Sequence, residues 1–254
     1  AGGVLAGLIA PPITVAIGWQ WAPAAVAPVA LLVIAGLQPL RSGWDDDRDP
    51  TARLGENYLR GLSLLWRRPA LGWVASISFW FSVIQLCLIA FLVTLLVEEV
   101  GFTLVEAGLL LAMVQVSGAC GRLAWGWLAD RLGDGLAVLA VLGLLSAVLS
   151  LAVSALTPAW PMAVVRVTFI LYGFISMAWG GIFIAEVARL SPPDRIGDAT
   201  GYGTAASFVG VLVGPSIFAA IHGAVGGYAA TFALLALAGL AATAAAIMTR
   251  FAAS

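Results

Sequence analysis

The sequence predicts an all-α integral membrane protein that crosses the bilayer several times. Its composition, its repeated apolar runs and the one-sided placement of its charges each predict this class. Of 254 residues, 62% are hydrophobic and 10% are charged, and the mean hydropathy is +1.04. Soluble domains carry roughly 25% charged residues, so a water-soluble core does not account for this composition.

Eight apolar segments are candidate membrane spans, for which about 20 residues are needed, and the first of them is short. We expect helices, because an open sheet in lipid leaves backbone groups without hydrogen bonds. The runs also lack the alternation of barrel strands. The predicted spans cover residues 2–17, 22–40, 71–97, 104–125, 135–155, 162–187, 199–221 and 227–249.

The arginines predict the orientation of the spans. The chain has no lysine, and eleven of its twelve arginines fall in the long central segment, in alternate connections or after the last span. The positive-inside rule makes these regions cytoplasmic, in the inner membrane of a bacterial cell. They are Arg41, Arg48, Arg53, Arg60, Arg67, Arg68, Arg122, Arg131, Arg189, Arg195 and Arg250.

Residues 41–70 form the one long polar segment between predicted spans. After Pro50, apolar residues recur at helical spacing, with arginines on the rest of the wheel. This pattern favours a helix lying in the inner membrane interface, and a solvated linker is the alternative. The apolar residues concerned are Leu54, Tyr58, Leu62, Leu65 and Trp66.

The first and seventh spans are similar in sequence. One contains VLAGLIAPPI and the other FVGVLVGPSI, which places Pro11 opposite Pro215. In both cases a short turn with aromatic residues and a second apolar span follow. Internal repeats of this kind are typical of transporter folds.

The connection after the fourth span, GWLADRLGDG, places three charges between glycines in an otherwise apolar chain. It resembles the loop motif of the major facilitator superfamily, G-x-L-A-D-R-x-G followed by basic residues. Asp134 and Gly135 stand where those closing basic residues are expected. The residues that match are Gly126, Leu128, Ala129, Asp130, Arg131 and Gly133.

The resemblance implies a division of the chain. Residues 1–40 would be the last two helices of the N-terminal bundle, 41–70 the cytoplasmic linker and 71–254 the C-terminal six-helix bundle. Four helices of a complete family member would be missing before residue 1. The implied function is secondary active transport by alternating access, by a protein that is a monomer when complete.

The resemblance also implies that the motif is a cytoplasmic gate, in which charges hold helices together in one state and release them in the other. We expect Asp130 near the N-terminus of a neighbouring helix and Arg131 paired with Glu186, with Arg189 beside it. Gly126 and Gly133 would allow a tight turn and close helix approach. The alternative is that a short cytoplasmic loop simply carries charge.

Arg166 is the one arginine that does not fall in a predicted cytoplasmic region. It lies several residues into the sixth span, in its outer half. A charge inside the membrane needs water, a partner or a ligand. Either the side chain reaches to the outer surface, or it faces a central cavity and binds an anionic substrate group.

Other polar and aromatic residues within the spans are candidates to line a substrate cavity, since pockets combine aromatic rings with a few polar groups. Helix packing is the alternative for each. Such a cavity favours an organic anion or an amphipathic metabolite as substrate. The candidates are Trp80, Gln85, Gln115, Tyr172 and Trp179.

The sequence argues against several other functions. With a single histidine, His222, it offers no multi-histidine metal site, and no acidic residue lies deep in a predicted span. We therefore expect no cofactor, no metal, no nucleic-acid partner and no intramembrane enzyme. The partners expected are the lipid bilayer and a small solute, with or without a coupled proton; a non-transporting remnant or structural subunit is the alternative function.

Overall fold

The computed structural model describes residues 2–18, 20–40 and 68–253, and within these ranges every regular element is helical. Short 3₁₀ turns follow α2 and precede α8, and α3 ends in a wider π-type turn at Leu96–Val100. The helices are α1 (Gly2–Ile17), α2 (Trp21–Leu37), α3 (Pro69–Leu95), α4 (Leu104–Leu132), α5 (Gly135–Ser154), α6 (Met162–Ser176), α7 (Trp179–Leu190), α8 (Ile196–Val225) and α9 (Tyr228–Ala253).

The chain is a multi-pass membrane protein. Judged by length and composition, six helical stretches can cross a membrane: α3 with its π turn, α4, α5, α6 together with α7, α8 and α9. The helices α1 and α2 are shorter, with 16 and 17 residues. The predicted interfacial helix after Pro50 lies outside the described residues.

The structure corrects the boundaries of two predicted spans. Helix α4 continues to Leu132 instead of ending at 125, because a hydropathy pattern ends at the first charges whereas a helix continues until a residue such as Gly133 stops it. The predicted span 162–187 is two helices, separated at Met177 and Ala178.

Local caps mark the start of α4 and the turn between α4 and α5. Thr103 and Glu106 form a reciprocal capping box at the start of α4, which satisfies backbone donors that have no partner within the helix. Gly133 ends α4 with φ +66°, a conformation that favours glycine. The Asp134 carboxylate then accepts the Ala137 N–H at 3.0 Å and starts α5.

Close backbone approach holds the bundle together. Helix α5 packs on α9 where Gly143 faces Gly239, and a Cβ on Gly239 would lie 2.6 Å from the Gly143 carbonyl oxygen. At the same crossing the Thr243 hydroxyl donates to Ala140 O at 3.1 Å. Without a hydrophobic force between helices in lipid, small residues and such bonds are the usual basis of association.

Helix α3 lies centrally, in contact with both α8 and α9, while α6 and α1 both pack on α4. The buried core is built from α3 to α9. Helix α8 is the least covered span, with 17% of its most apolar window buried against 39–56% for the other five.

Contacts between helix ends define two ends of the bundle. Arg250 at the end of α9 and Glu186 near the end of α7 both contact the start of α5. We call this the arginine-rich end. At the opposite end, the Glu99 carboxylate accepts the Ala229 N–H at 2.9 Å and also that of Tyr228, which caps α9.

Candidate functional site

A break between α6 and α7 lies near the middle of the membrane-spanning segment. With 15 residues in α6 and 12 in α7, it lies roughly 22 Å from one end and roughly 18 Å from the other, at 1.5 Å per residue. The Met177 N–H bonds to Gly173 O and the Ala178 N–H to Ile175 O. Broken helices at this depth present backbone polar groups to a ligand or ion.

The Met177 carbonyl at this break accepts the Nε–H of Arg122 from α4, at 3.0 Å. Because α4 runs to Leu132, Arg122 lies roughly 15 Å before the helix end, whereas the predicted span placed it close to its end. A charge at the centre of a span costs about 2.5–3.5 kcal/mol on insertion scales, and such residues face the bundle interior or a water-filled cavity.

Trp179 begins α7 directly after the break. Its Nε1–H donates to Gln85 Oε1 of α3 at 3.1 Å. Its ring stacks on Phe81, with centroids 5.9 Å apart and planes at 8°, and tilts against Phe183 at 5.8 Å. The structure therefore brings two of the predicted lining residues, Gln85 and Trp179, into direct contact beside the break.

Gln115 lies seven residues before Arg122, on the same face of α4, and is half-buried. On the other side of the break, Gly180 and Gly181 leave room, since a Cβ added at either would meet no atom within 4 Å. We call the set of Gln85, Gln115, Arg122, the Met177 carbonyl and Trp179 the break site.

Two of the predicted lining residues lie elsewhere. Tyr172 is fully buried, and its hydroxyl is 2.6 Å from the Ser150 hydroxyl of α5; no part of its ring is left for a substrate. Trp80 lies edge-on to Phe79 and lines an apolar cavity of about 440 Å³ between α3, α8 and α9. In a helix, residues 80 and 85 point in different directions, which hydropathy does not show.

Arg166 lies near the start of α6, at the end opposite to the arginine-rich one. One Nη of its guanidinium is 3.8 Å from Glu106 Oε1, and its Cζ lies 5.6 Å from the centre of the Phe102 ring. Its side chain is 46% exposed. The charge therefore has a carboxylate and a ring as partners, at the bundle rim.

Glu186 is the most buried charged side chain at the arginine-rich end, with 8% exposed. Arg189 donates to its Oε2 from Nε at 2.8 Å and from Nη2 at 2.6 Å. The carboxylate lies against Gly135 at the N-terminus of α5, where a Cβ would collide with it; the helix dipole favours an anion there. The structure thus pairs Glu186 with Arg189 and not, as the sequence predicted, with Arg131.

A second ion pair lies beside the first. Arg250, at the end of α9, is 2.9 Å from the carboxylate of Asp134. The Arg250–Asp134 pair joins α9 to α5, whereas the Glu186–Arg189 pair lies within α7 and contacts α5 through Glu186. Together with Asp130, which lines the same cavity of about 520 Å³ as Glu186 and Arg189, they form the set of residues that we call the α4–α5 charge cluster.

Most of the GWLADRLGDG motif is helical. Gly126, Asp130 and Arg131 lie in the last turns of α4, and Gly133 alone makes the left-handed turn. The Arg131 guanidinium lies over the Trp127 ring at 5.6 Å. The sequence predicted Asp130 near the N-terminus of a neighbouring helix. At the N-terminus of α5 the structure has the carboxylates of Asp134 and Glu186 instead, because Asp130 projects from α4 before the chain reverses direction.

A family model described as Major Facilitator Superfamily matches residues 1–215. The chain belongs to the Major Facilitator Superfamily. This confirms the resemblance that the motif, the repeat and the sided arginines indicated. No curated protein matches the sequence significantly.

Among solved structures, this superfamily member is similar to the fucose:proton symporter of E. coli, with 18% identity and a TM-score of 0.67. The match covers 93% of this chain and 55% of the symporter, so the chain spans about half the length of that protein. At this identity the likeness shows the fold alone.

Two residues of this superfamily member that bear on function escaped the sequence prediction. Arg122 was assigned to the membrane edge because it fitted the sided pattern; the signal that could have located it is its distance from the helix-ending Gly133. Arg250 was read as an orientation signal alone, and only the packing of α9 on α5 shows its partner. In the part of the chain that the structure describes, no group of acidic, cysteine or histidine side chains could hold a metal ion.

Proposed function

We propose that the protein is a secondary active transporter that moves a small solute by alternating access, with the break site as part of its binding site. The observation that carries the proposal is the break between α6 and α7, because carriers bind substrate near the midplane at discontinuous helices. Side chains of α3, α4 and α7 converge on it. A remnant selected only for packing has no need of an arginine bonded to a backbone carbonyl beside this break.

The α4–α5 charge cluster is proposed as the gate at the arginine-rich end, which is cytoplasmic in a bacterial inner membrane. What supports it is the Glu186 carboxylate, which pairs with Arg189 within α7 and lies against Gly135 at the start of α5. The pair of Arg250 with Asp134 links α9 to the same point. Gly126, Asp130, Arg131 and Gly133 place the end of α4 beside this pair. Rocking of the helices changes the distances between them and thereby opens or closes the 520 Å³ cavity.

Transport is proposed to be driven by an ion gradient, in the first place by protons, the ion named for the structurally similar fucose:proton symporter. The protein is further proposed to act as a monomer. Light scattering of the purified protein in detergent measures its mass; a stable dimer contradicts the monomer but not transport.

Uptake into proteoliposomes tests transport directly. The first solutes are L-fucose and a set of aromatic monocarboxylates with their amides, each measured with and without a pH gradient. Saturable uptake above protein-free liposomes supports the proposal, and its stimulation by the gradient supports coupling. Protein-free rates for every solute would leave the alternative of a structural subunit.

Accessibility of a single cysteine tests alternating access without any known substrate. Gly181 lines the cavity and has room for a side chain, so Gly181→Cys is made with Cys87 and Cys120 replaced by alanine. We expect labelling by a water-soluble maleimide from the arginine-rich side, at a rate that Asp130→Asn changes several-fold. An unchanged rate contradicts the gate.

A further inference from the structure

The break site holds a positive charge that nothing in the described part of the chain neutralises. The Nε–H of Arg122 bonds to a neutral carbonyl, that of Met177. A guanidinium has five N–H donors, and four of them remain on its two terminal nitrogens. Within the described residues no carboxylate lies in ion-pair distance of it, while Arg166, Arg189, Arg195 and Arg250 each have one.

The bond to Met177 also fixes how the guanidinium is presented. A long arginine side chain is ordinarily free to turn, but here one edge of the fork is fixed to the backbone at the helix break. The opposite edge, with the two terminal nitrogens, is available for a ligand. Two parallel N–H groups match the two oxygens of a carboxylate.

The surroundings limit both the charge and the shape of that ligand. Gln85 and Gln115 are neutral, so one arginine balances one negative charge. Trp179, stacked on Phe81 and held by Gln85, offers an aromatic face next to the break. Gly180 and Gly181 leave space that a side chain would fill.

We propose that Arg122 binds the carboxylate of an amphipathic monocarboxylate whose apolar or aromatic part lies against Trp179. The inference rests on the proposed transport function and names its substrate class. It assigns anion recognition to Arg122 in place of Arg166. Arg166 already has Glu106 at 3.8 Å and lies at the rim of the bundle.

Equilibrium binding to the intact chain in lipid nanodiscs tests the assignment. The radiolabelled probes are mandelate, phenylacetate and indole-3-acetate, each compared with its own amide as the neutral analogue. We expect the wild type to bind at least one carboxylate ten-fold or more tightly than its amide. Equal affinity for carboxylate and amide in all three pairs overturns the proposal, as does the absence of binding by all three carboxylates.

Variants then locate the recognition. Arg122→Gln should weaken carboxylate binding at least ten-fold and leave amide binding within two-fold. Arg122→Lys, which keeps the charge but not the fork, should give an intermediate loss; it also tests the proposal if the glutamine variant does not fold. Arg166→Gln is the matched control and should change neither affinity more than two-fold.

The contrary outcomes separate this inference from the transport proposal. Loss of carboxylate binding in Arg166→Gln but not in Arg122→Gln overturns the assignment. Equal loss for acid and amide in Arg122→Gln shows a purely structural role and overturns it too. If uptake of neutral solutes persists in either case, transport stands and only the substrate class fails. If carboxylates bind through Arg122 but nothing is taken up, transport fails and the site stands.

Discussion

The α4–α5 charge cluster and the break site both contain arginines, but they neutralise the positive charge differently. In the cluster, Arg189 lies 2.6 Å from Glu186 and Arg250 lies 2.9 Å from Asp134. At the break site, the Arg122 guanidinium bonds to a backbone carbonyl at 3.0 Å and has no carboxylate partner within the part of the chain that the structure describes. In the cluster both arginines have a carboxylate partner, and the Arg250–Asp134 pair joins two helices, whereas the break site has positive charge left for a ligand.

The same comparison separates stability from function. A pair that holds helices together should affect unfolding when it is removed. A group that waits for a ligand should affect binding and leave unfolding nearly unchanged. Four pairs of variants test this division, beginning with the largest expected effect on stability.

Removing the buried carboxylate of the cluster should have the largest effect. Glu186→Ala leaves Arg189 without its acceptor and the start of α5 without its anion, so we expect a loss of about 1.5–3 kcal/mol in the free energy of unfolding. Denaturant titration in detergent measures it. Asp130→Ala is the control, since Asp130 is exposed in the same cavity, and should change stability by less than about 0.5 kcal/mol. Equal losses contradict the distinction between them.

Adding a methyl group beside Glu186 should act more mildly. In Gly135→Ala the new Cβ meets the Glu186 carboxylate and lies 3.0 Å from Ile182 Cγ2, so we expect a loss of about 1–2 kcal/mol. Gly126 lines the same cavity, and the Cβ added by Gly126→Ala would have no atom within 4 Å. That variant should stabilise by about 0.4–1 kcal/mol, because alanine restricts the unfolded chain. The opposite order of the two melting temperatures contradicts the packing described here.

The second ion pair should contribute less than the first. Asp134→Ala removes both the cap of α5 and the partner of Arg250, with an expected loss of about 1 kcal/mol. Arg250→Ala removes only the pair; its side chain is 53% exposed, so we expect less than about 1 kcal/mol. A double-mutant cycle on unfolding separates cap from pair. A larger loss in the free energy of unfolding for Arg250→Ala than for Asp134→Ala would show that the Asp134 cap does not stabilise α5.

The smallest effect on unfolding is expected at the break site. The Trp179→Phe variant keeps an aromatic ring against Phe81 but loses the hydrogen bond to Gln85. We expect the free energy of unfolding to fall by about 0.5–1 kcal/mol. The Gln85→Leu variant removes the same hydrogen bond by replacing its acceptor. The loss in the free energy of unfolding should therefore be only slightly larger in the double variant than in either single variant. A loss as large as that of Glu186→Ala would make the break site a structural element and weaken the comparison.

The agreement between sequence and structure follows a physical division. The span 135–155 was predicted closely, because it is uniformly apolar and begins at a glycine directly after the charges of the motif. The span from 104 failed at its end, since Arg122 marks the end of an apolar run but not the end of a helix. The break at Met177 had no signal, because its neighbours are as apolar as the rest of the span.

The site residues divide in the same manner. Gln85 and Trp179 were both predicted to line a substrate cavity; the structure bonds them to each other, and their role in a cavity stays a prediction. Tyr172 belonged to the same predicted set and lies in the core, because its hydroxyl finds Ser150 on a helix that the sequence does not place next to it. Whether a polar group in a span faces a cavity or a partner depends on a neighbour that is distant in the chain.

By itself, the sequence determined that this protein crosses a membrane repeatedly as helices and belongs to a superfamily of carriers. Transfer of apolar side chains into lipid and the placement of charges along the chain are local properties, and each segment contributes independently of the others. Only the tertiary structure decided that Glu186 pairs with Arg189 and that Arg122 reaches the break at Met177. Both contacts depend on the depth and rotation of one helix against another, and these are set by backbone packing such as that of Gly143 on Gly239.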